Sequence, residues 1–435
     1  MKNKLIYLLL LFSLVIIFGC KATSNPAPIS KYTFNNNSTK LATIKTGTTI
    51  EDAFFSNDGH SVAIIIQDGS KKRMQINDSL SAPNDDIRNP AFFNNQIAYI
   101  VKDGPLESVV ANNTNGKSFD AVTKPKFTPD GVVLYAGRQK DHWVIVRGDE
   151  TSQPFYSADP SIFLNAVGQI AYQATDTTTK KSFLTVLDKN LKPVWKGKKY
   201  DFIAQPIVAN ASKSNLLYIA GLNGKQHVVN FTFNNSTLKE TEGITYDSIT
   251  NLAISQDGLT AAYLIAKGNK LILVIGKNEH AMPPLDMALD VECFDADNAL
   301  FSAVKGNNVL LFVNGKESGK QFNGINFMIY SNDGKHYAIA AEVAGKDKIF
   351  LNDKIVGEYD KIVSPQFSKD NTLLVYRARS NDKRFVVVYN MKTGASKELT
   401  KFDAVWNPVF SPDGKSIGYG VRKGNEFWWQ VDKLN

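Results

Sequence analysis

The sequence predicts an all-β protein: a β-propeller of about ten four-stranded blades, closed into one ring by its N-terminal strand, with two consecutive smaller propellers as the alternative. Three observations predict it. A turn motif recurs, a second motif precedes it at a fixed offset, and the segments between turns read as short strands.

The turn motif is apolar-Ser/Thr-x-Asp. It stands at Phe55 to Asp58, Phe127 to Asp130, Ile254 to Asp257, Tyr330 to Asp333, Phe367 to Asp370 and Phe410 to Asp413. Gly follows in every copy but the fifth, which has Asn371. Worn copies lie near Asn94-Asn95, Asn165, Ala211 and Asp297, so turns recur every 36 to 46 residues or so. Asp accepts backbone N–H bonds and Gly tolerates positive φ; together they close a tight hairpin.

The second motif is aromatic-Asp-x-aliphatic, at Phe119-Asp120, Tyr246-Asp247, Tyr359-Asp360 and Phe402-Asp403. Each of these aspartates lies ten residues before its turn Asp, and the pair Asn323 and Asp333 keeps that spacing. Between turns come runs such as "TAAYLIA" and "LLVYRA", then a charged turn, then "KLILVIG" or "RFVVVYN", then a weaker fourth run. Short β-branched and aromatic runs bounded by Gly, Asn and Asp are strand-and-hairpin chemistry. Four such strands in about 40 residues make one propeller blade, and residues 50–435 hold ten units.

The intact turn Phe410-Ser411-Pro412-Asp413-Gly414 resembles that of WD-repeat-like propellers of the TolB kind. The resemblance covers essentially all of the chain after residue 39. It implies the fold and leaves activity open.

Ring closure is legible at the ends. The last unit has three strands and no fourth, whereas Lys40 to Asp52 reads as a lone fourth strand before the first complete turn. Pairing the two leaves no sheet edge open.

The first residues point to the envelope. Lys2 and Lys4 precede an apolar run of 14 residues, Leu5 to Phe18, which is a signal-peptide length and short for a membrane span. The run ends in Gly19-Cys20, which resembles the lipobox of bacterial lipoproteins. That resemblance implies cleavage before Cys20 and a lipid on its thiol. The expected domains are therefore a signal peptide at 1–19, a flexible tether at 20–39 rich in Ser, Asn, Thr and Pro, and a propeller at 40–435. Lys21 after the Cys favours the periplasmic side of an outer membrane, if the organism has one.

Removing residues 1–19 leaves 48 basic and 42 acidic residues, too mild an excess to argue for nucleic acid. Beyond Cys20 only Cys293 remains, so stability must come from a packed core. The five histidines are scattered, and no nucleophile elbow, H-E-x-x-H or P-loop occurs.

Two candidate surfaces follow from blade geometry. The turns between second and third strands are basic and share one face: Lys71, Lys72, Arg73, Arg138, Lys140, Arg377, Arg379, Lys383, Arg384, Arg422 and Lys423 form a candidate docking surface for an anionic partner. The aromatic-Asp segments emerge on that face nearer the channel, making Asp120, Asp201, Asp247, Asp360 and Asp403 candidate channel-mouth carboxylates; the plainer reading has each capping its own loop. The turn aspartates lie on the opposite face.

The expected function is a lipid-anchored, monomeric, non-enzymatic scaffold that binds a protein partner, with no cofactor and no metal. The alternatives are a binding protein for an anionic glycan or small ligand, and a lyase or hydrolase with a site at the channel mouth.

Overall fold

The computed structural model describes residue 34 and residues 37–434, apart from 159, 235, 236 and 269. The signal peptide, Cys20 and most of the tether lie outside the described residues. Every regular element among those described is a β-strand, and no helix is long and apolar enough to cross a membrane.

The strands form ten antiparallel sheets, each in sequence order. We number them as blades 1 to 10, at residues 50–80, 86–119, 121–151, 162–196, 202–246, 249–281, 287–322, 324–359, 361–398 and 404–433, the last completed by Ser38–Thr43. In each blade the first strand is innermost. It is an edge strand, so Pro can replace a ladder N–H there. Pro90, Pro125, Pro206, Pro365 and Pro408 all fall on first strands or in breaks within them. Register shifts interrupt the same strand in blades 1, 2, 6, 7, 8 and 9. Bulges of this kind bend a strand and re-aim its side chains.

Packing makes the ring. The middle strands alternate with period two, and both faces are apolar. In blade 1, Val62, Ile64 and Ile66 pack on Phe427 and Trp429 of blade 10, whereas Ala63 and Ile65 pack on Ile97 and Tyr99 of blade 2. Ten buried clusters result, each shared by two consecutive blades, the last joining blade 10 to blade 1. A fully buried Leu, Phe or Ile contributes about 1.5–3 kcal/mol, so these seams hold the molecule together.

Closure occurs as the sequence implies, with one correction. Ser38–Thr43 pairs antiparallel with the last strand, Thr43 opposite Glu426 and Ser38 opposite Gln430. The lone fourth strand is therefore not Lys40 to Asp52. A turn at Thr46-Gly47 divides that stretch, and Ile50–Phe55 is already the first strand of blade 1. There is one ring. The long 10-residue strands Lys225–Asn234 and Thr237–Tyr246 extend blade 5 without splitting the array.

The turn motif is built as its chemistry demands. Ser56 Oγ donates to Asp58 Oδ1 at 2.5 Å, and the same Ser-to-Asp bond recurs at 255/257, 331/333, 368/370 and 411/413. Each carboxylate also accepts a backbone N–H two residues on, as from His60, Leu259 and Lys415. Trp428 and Trp429 point to opposite sides of blade 10 and are both core: Trp429 packs toward blade 1, Trp428 toward blade 9.

Candidate functional site

The aromatic-Asp aspartates sit at the junctions between consecutive blades. Each follows the fourth strand of one blade and reaches the turn between second and third strands of the next. Asp403 accepts from Gly424 N at 2.9 Å in its own blade and pairs with Lys383 of blade 9 at 2.7 Å. Asp360 accepts from Asn381 N and pairs with Lys346 of blade 8; Asp201 accepts from Asn223 N and pairs with Lys181 of blade 4. Asp247 pairs with Lys225 of blade 5, and Asp120 accepts from Lys140 N at 2.6 Å. The Lys bond and then the backbone N–H hold Asp201, Asp360 and Asp403 below the usual carboxylate range. These groups latch neighbouring blades, which is the plainer of the two readings.

Asp85, Asp286 and Asn323 fill the same slot, accepting from Gly104, Gly306 and Ala344 N–H. Sequence reading passed over the first two because the preceding aromatic is missing; the Asp itself was the signal.

Latch aspartates hold Lys71 and Lys383, and other carboxylates or aromatic rings engage several more of the candidate basic surface. Lys71 pairs with Asp85 and Asp103, Lys72 with Glu51 and Asp86, and Arg73 with Asp68. Arg138 lies over Trp143, Arg422 over Phe427, and Lys423 over Trp428 at 4.6 Å. Lys140 is held by its backbone bond to Asp120.

Three members of the surface differ. Arg377, Arg379 and Arg384 converge with Lys361 on a cleft of about 280 Å³ between blades 9 and 10. Its walls are Val363, Ala378, Ala404, Val405 and Trp406. Among the described residues no carboxylate lines it. Arg377 Nη1 donates to Val405 O at 2.7 Å and Nη2 to Ser364 Oγ at 3.3 Å, while its buried Nε has no partner. Burial and the nearby Arg384 push its proton affinity down. Arg384 gives one bond, to Asp403 O.

Arg377 also borders the channel, where a cavity of about 960 Å³ opens between blades 1, 2, 3 and 10. Where first strands line this cavity, two of the positions recur: the one before the strand's last residue, and the one two earlier. They are Asp52 and Phe54 in blade 1 and Lys124 and Lys126 in blade 3, and Asp290 and Glu292 hold the same positions on the first strand of blade 7. Charge enters these two rings in those blades alone among the described residues. Lys126 donates to Ile162 O, and burial followed by repulsion from Lys213 and Lys124 lowers its proton affinity. Burial and then Asp290 push Glu292 up to about 7, although channel water reaches it. One wall is thus basic and another acidic. These inner-strand charges carry no motif of their own in the sequence.

No group of three or more His, Cys, Asp or Glu is placed to hold a metal ion among the described residues.

No family model matches the sequence, and no curated protein matches it. Solved structures are similar in fold. A eukaryotic initiation factor is 13% identical, covering 78% of this chain and 96% of its own, with a TM-score of 0.47. An oligogalacturonate lyase in complex with manganese is 11% identical, covering 70% of this chain and 97% of its own, with a TM-score of 0.35. TolB from Acinetobacter baumannii is 13% identical, covering 72% of this chain and 79% of its own, with a TM-score of 0.28. The propeller assignment stands on the strand pairings themselves: ten four-stranded blades in one closed ring.

Proposed function

We propose that this chain is a lipid-anchored, extracytoplasmic β-propeller that acts as a non-enzymatic, protein-binding scaffold in the cell envelope. One observation carries the reading. Cys20 ends an apolar run of signal-peptide length, and the polar segment after it leads into the strand that seals the ring. A rigid ring on a short tether holds its loop-bearing faces at a membrane surface, and loops on a rigid scaffold are where binding groups concentrate. The likeness of the turn at Phe410 to Gly414 to TolB-type propellers supports an envelope setting.

Two measurements test it. The wild-type chain fractionates with membranes and incorporates labelled fatty acid, and Cys20→Ser releases it; a wild-type chain that is soluble and unlabelled sinks the anchor. A photo-crosslinking residue at Asn307, on the face of the second-to-third-strand turns, or at Lys335, on the opposite face, gives a discrete protein adduct in intact envelopes. Adducts at neither site, nor at further positions around both faces, sink the scaffold.

A second reading, a binding protein for a small anionic ligand at the channel mouth, is favoured by the unpaired guanidinium groups between blades 9 and 10.

A further inference from the structure

The seam between blades 9 and 10 keeps one ion-pair latch, Lys383 with Asp403, but gathers more positive charge than that latch cancels. At five seams a cation on this face meets a carboxylate: Lys71 with Asp85, Lys181 with Asp201, Lys225 with Asp247, Lys346 with Asp360 and, at this seam, Lys383 with Asp403. In the cleft, Lys361 has Asp347 at 3.2 Å, whereas among the described residues Arg377, Arg379 and Arg384 make no ion pair within 4 Å, although Arg379 lies in the field of Asp360. Three guanidinium groups share a space of about 280 Å³. Like charges so close repel, and the arrangement persists at a cost that an anion would remove.

The donors point to the kind of anion. Each guanidinium carries five N–H donors. Arg377 uses two on Val405 O and Ser364 Oγ, which fixes its plane; Arg384 uses one, on Asp403 O. The buried Arg377 Nε has none. Fixed arginine forks match oxyanions in a bidentate manner that lysines do not. The walls add an apolar patch, Val363, Ala404, Val405 and the Trp406 ring, whose Nε1 is already held by Ala53 O at 2.6 Å. Size limits the occupant, since the cleft lies just below the usual range for ligand pockets, about 300–1,000 Å³.

We propose that this cleft binds a phosphate monoester carried on a single small ring, with Arg377, Arg379 and Arg384 gripping the phosphate and Trp406 and Val363 bordering the ring. Three guanidinium groups around one cleft that no carboxylate lines favour a phosphate of charge about −1.5 to −2 over a monocarboxylate. The inference rests on the small-ligand reading above and is independent of the lipid anchor and of any protein partner. The source of the phosphate is either a soluble sugar phosphate or a phosphorylated lipid headgroup.

The test is calorimetric titration of the full chain in neutral detergent with glucose 1-phosphate, glucuronate and glucose, beside sedimentation with vesicles of zwitterionic lipid carrying phosphatidylinositol 4-phosphate, a phosphate monoester on an inositol ring. Glucose 1-phosphate binds, glucuronate binds at least about tenfold more weakly, and glucose does not bind. Saturable binding of the phosphatidylinositol 4-phosphate vesicles without glucose 1-phosphate binding assigns the lipid source; glucose 1-phosphate binding assigns the soluble one. The variant Arg379→Gln with Arg384→Gln, whose unchanged melting temperature shows that it folds, loses either form of binding by about tenfold or more. Added salt weakens it further. Binding of the variant equal to wild type overturns the site, glucuronate equal to glucose 1-phosphate overturns the phosphate assignment, and no binding of either phosphate overturns both. Cys20→Ser binds glucose 1-phosphate like wild type, so failure of the anchor and failure of the cleft are read separately.

Discussion

The two seams that flank blade 10 solve opposite problems. Between blades 10 and 1 the chain ends must be sealed, and the solution is aromatic. Phe55, Trp406, Phe427 and Trp429 form one cluster, with ring centroids 5.0–6.4 Å apart. Trp429 rests on two glycines, and a Cβ at Gly59 or Gly418 would come within 2.4 and 2.5 Å of its ring. Between blades 9 and 10 the chain is continuous, so this seam needs no extra seal. It keeps an apolar floor of Val375, Val386, Val405 and Tyr419 and gathers arginines above it. The difference teaches where the ring can tolerate unpaired charge: at a junction already held by covalent connection and core burial.

Breaking the sealed seam has the largest expected effect. Trp429 is 2% exposed and is the wedge of the closure. Trp429→Ala is expected to cost about 3–5 kcal/mol, read as a shift of the denaturant midpoint. A loss under about 1 kcal/mol would show that closure is dispensable.

Trp406 belongs to both seams, so it sharpens the comparison. Trp406→Phe keeps an aromatic ring against the cleft but removes the donor to Ala53 O. The expected cost is about 1–2 kcal/mol, with binding in the cleft retained. Equal stability would mean that the bond does not help seal blade 1.

A control far from both seams is Glu292 on the blade 7 wall. Its carboxyl group, raised to about 7 from an ordinary 4.5, favours the protonated form in the folded state. That contribution is full below about pH 4.5 and is lost as pH rises through 7. Glu292→Gln should therefore stabilise the chain at pH 8, by about 1 kcal/mol once screening by channel water is allowed for, with the gain vanishing toward pH 4. A gain independent of pH would contradict the assignment.

The smallest effect is expected at the exposed latch of the cleft seam. Lys383→Met breaks the pair with Asp403 and should change stability by no more than about 0.5 kcal/mol. Because Lys383 and the Gly424 N–H hold the Asp403 carboxyl low, what the latch contributes is present at neutral pH and fades as pH falls through the acid range. A large loss at neutral pH would show that latches, and not apolar seams, hold the ring.

Much of this was legible because it is local or periodic. The Ser-x-Asp turn bonds lie within two residues, the period-two alternation marks both faces of each blade, and the unmatched strand at each end announces closure. The first strand of blade 1 was misjoined to the closing strand because Lys40 to Asp52 has one weak turn, at Thr46-Gly47, and no turn Asp. The aromatic-Asp motif does not announce the partners of its carboxylates. Their partners, such as Lys383 with Gly424 for Asp403, lie about 20 residues away on either side, in two different blades.

The sequence by itself determined the blade, its turns, the number of repeats and the means of closing the ring, since each depends on neighbours along the chain or on a fixed period. Only the tertiary structure decided which charges are cancelled and which are left over. Lys361, Arg377, Arg384 and Trp406 meet because radial stacking sets strands of two blades side by side at one depth. Electrostatic pairing is a property of distance in space, and no spacing along the chain carries it.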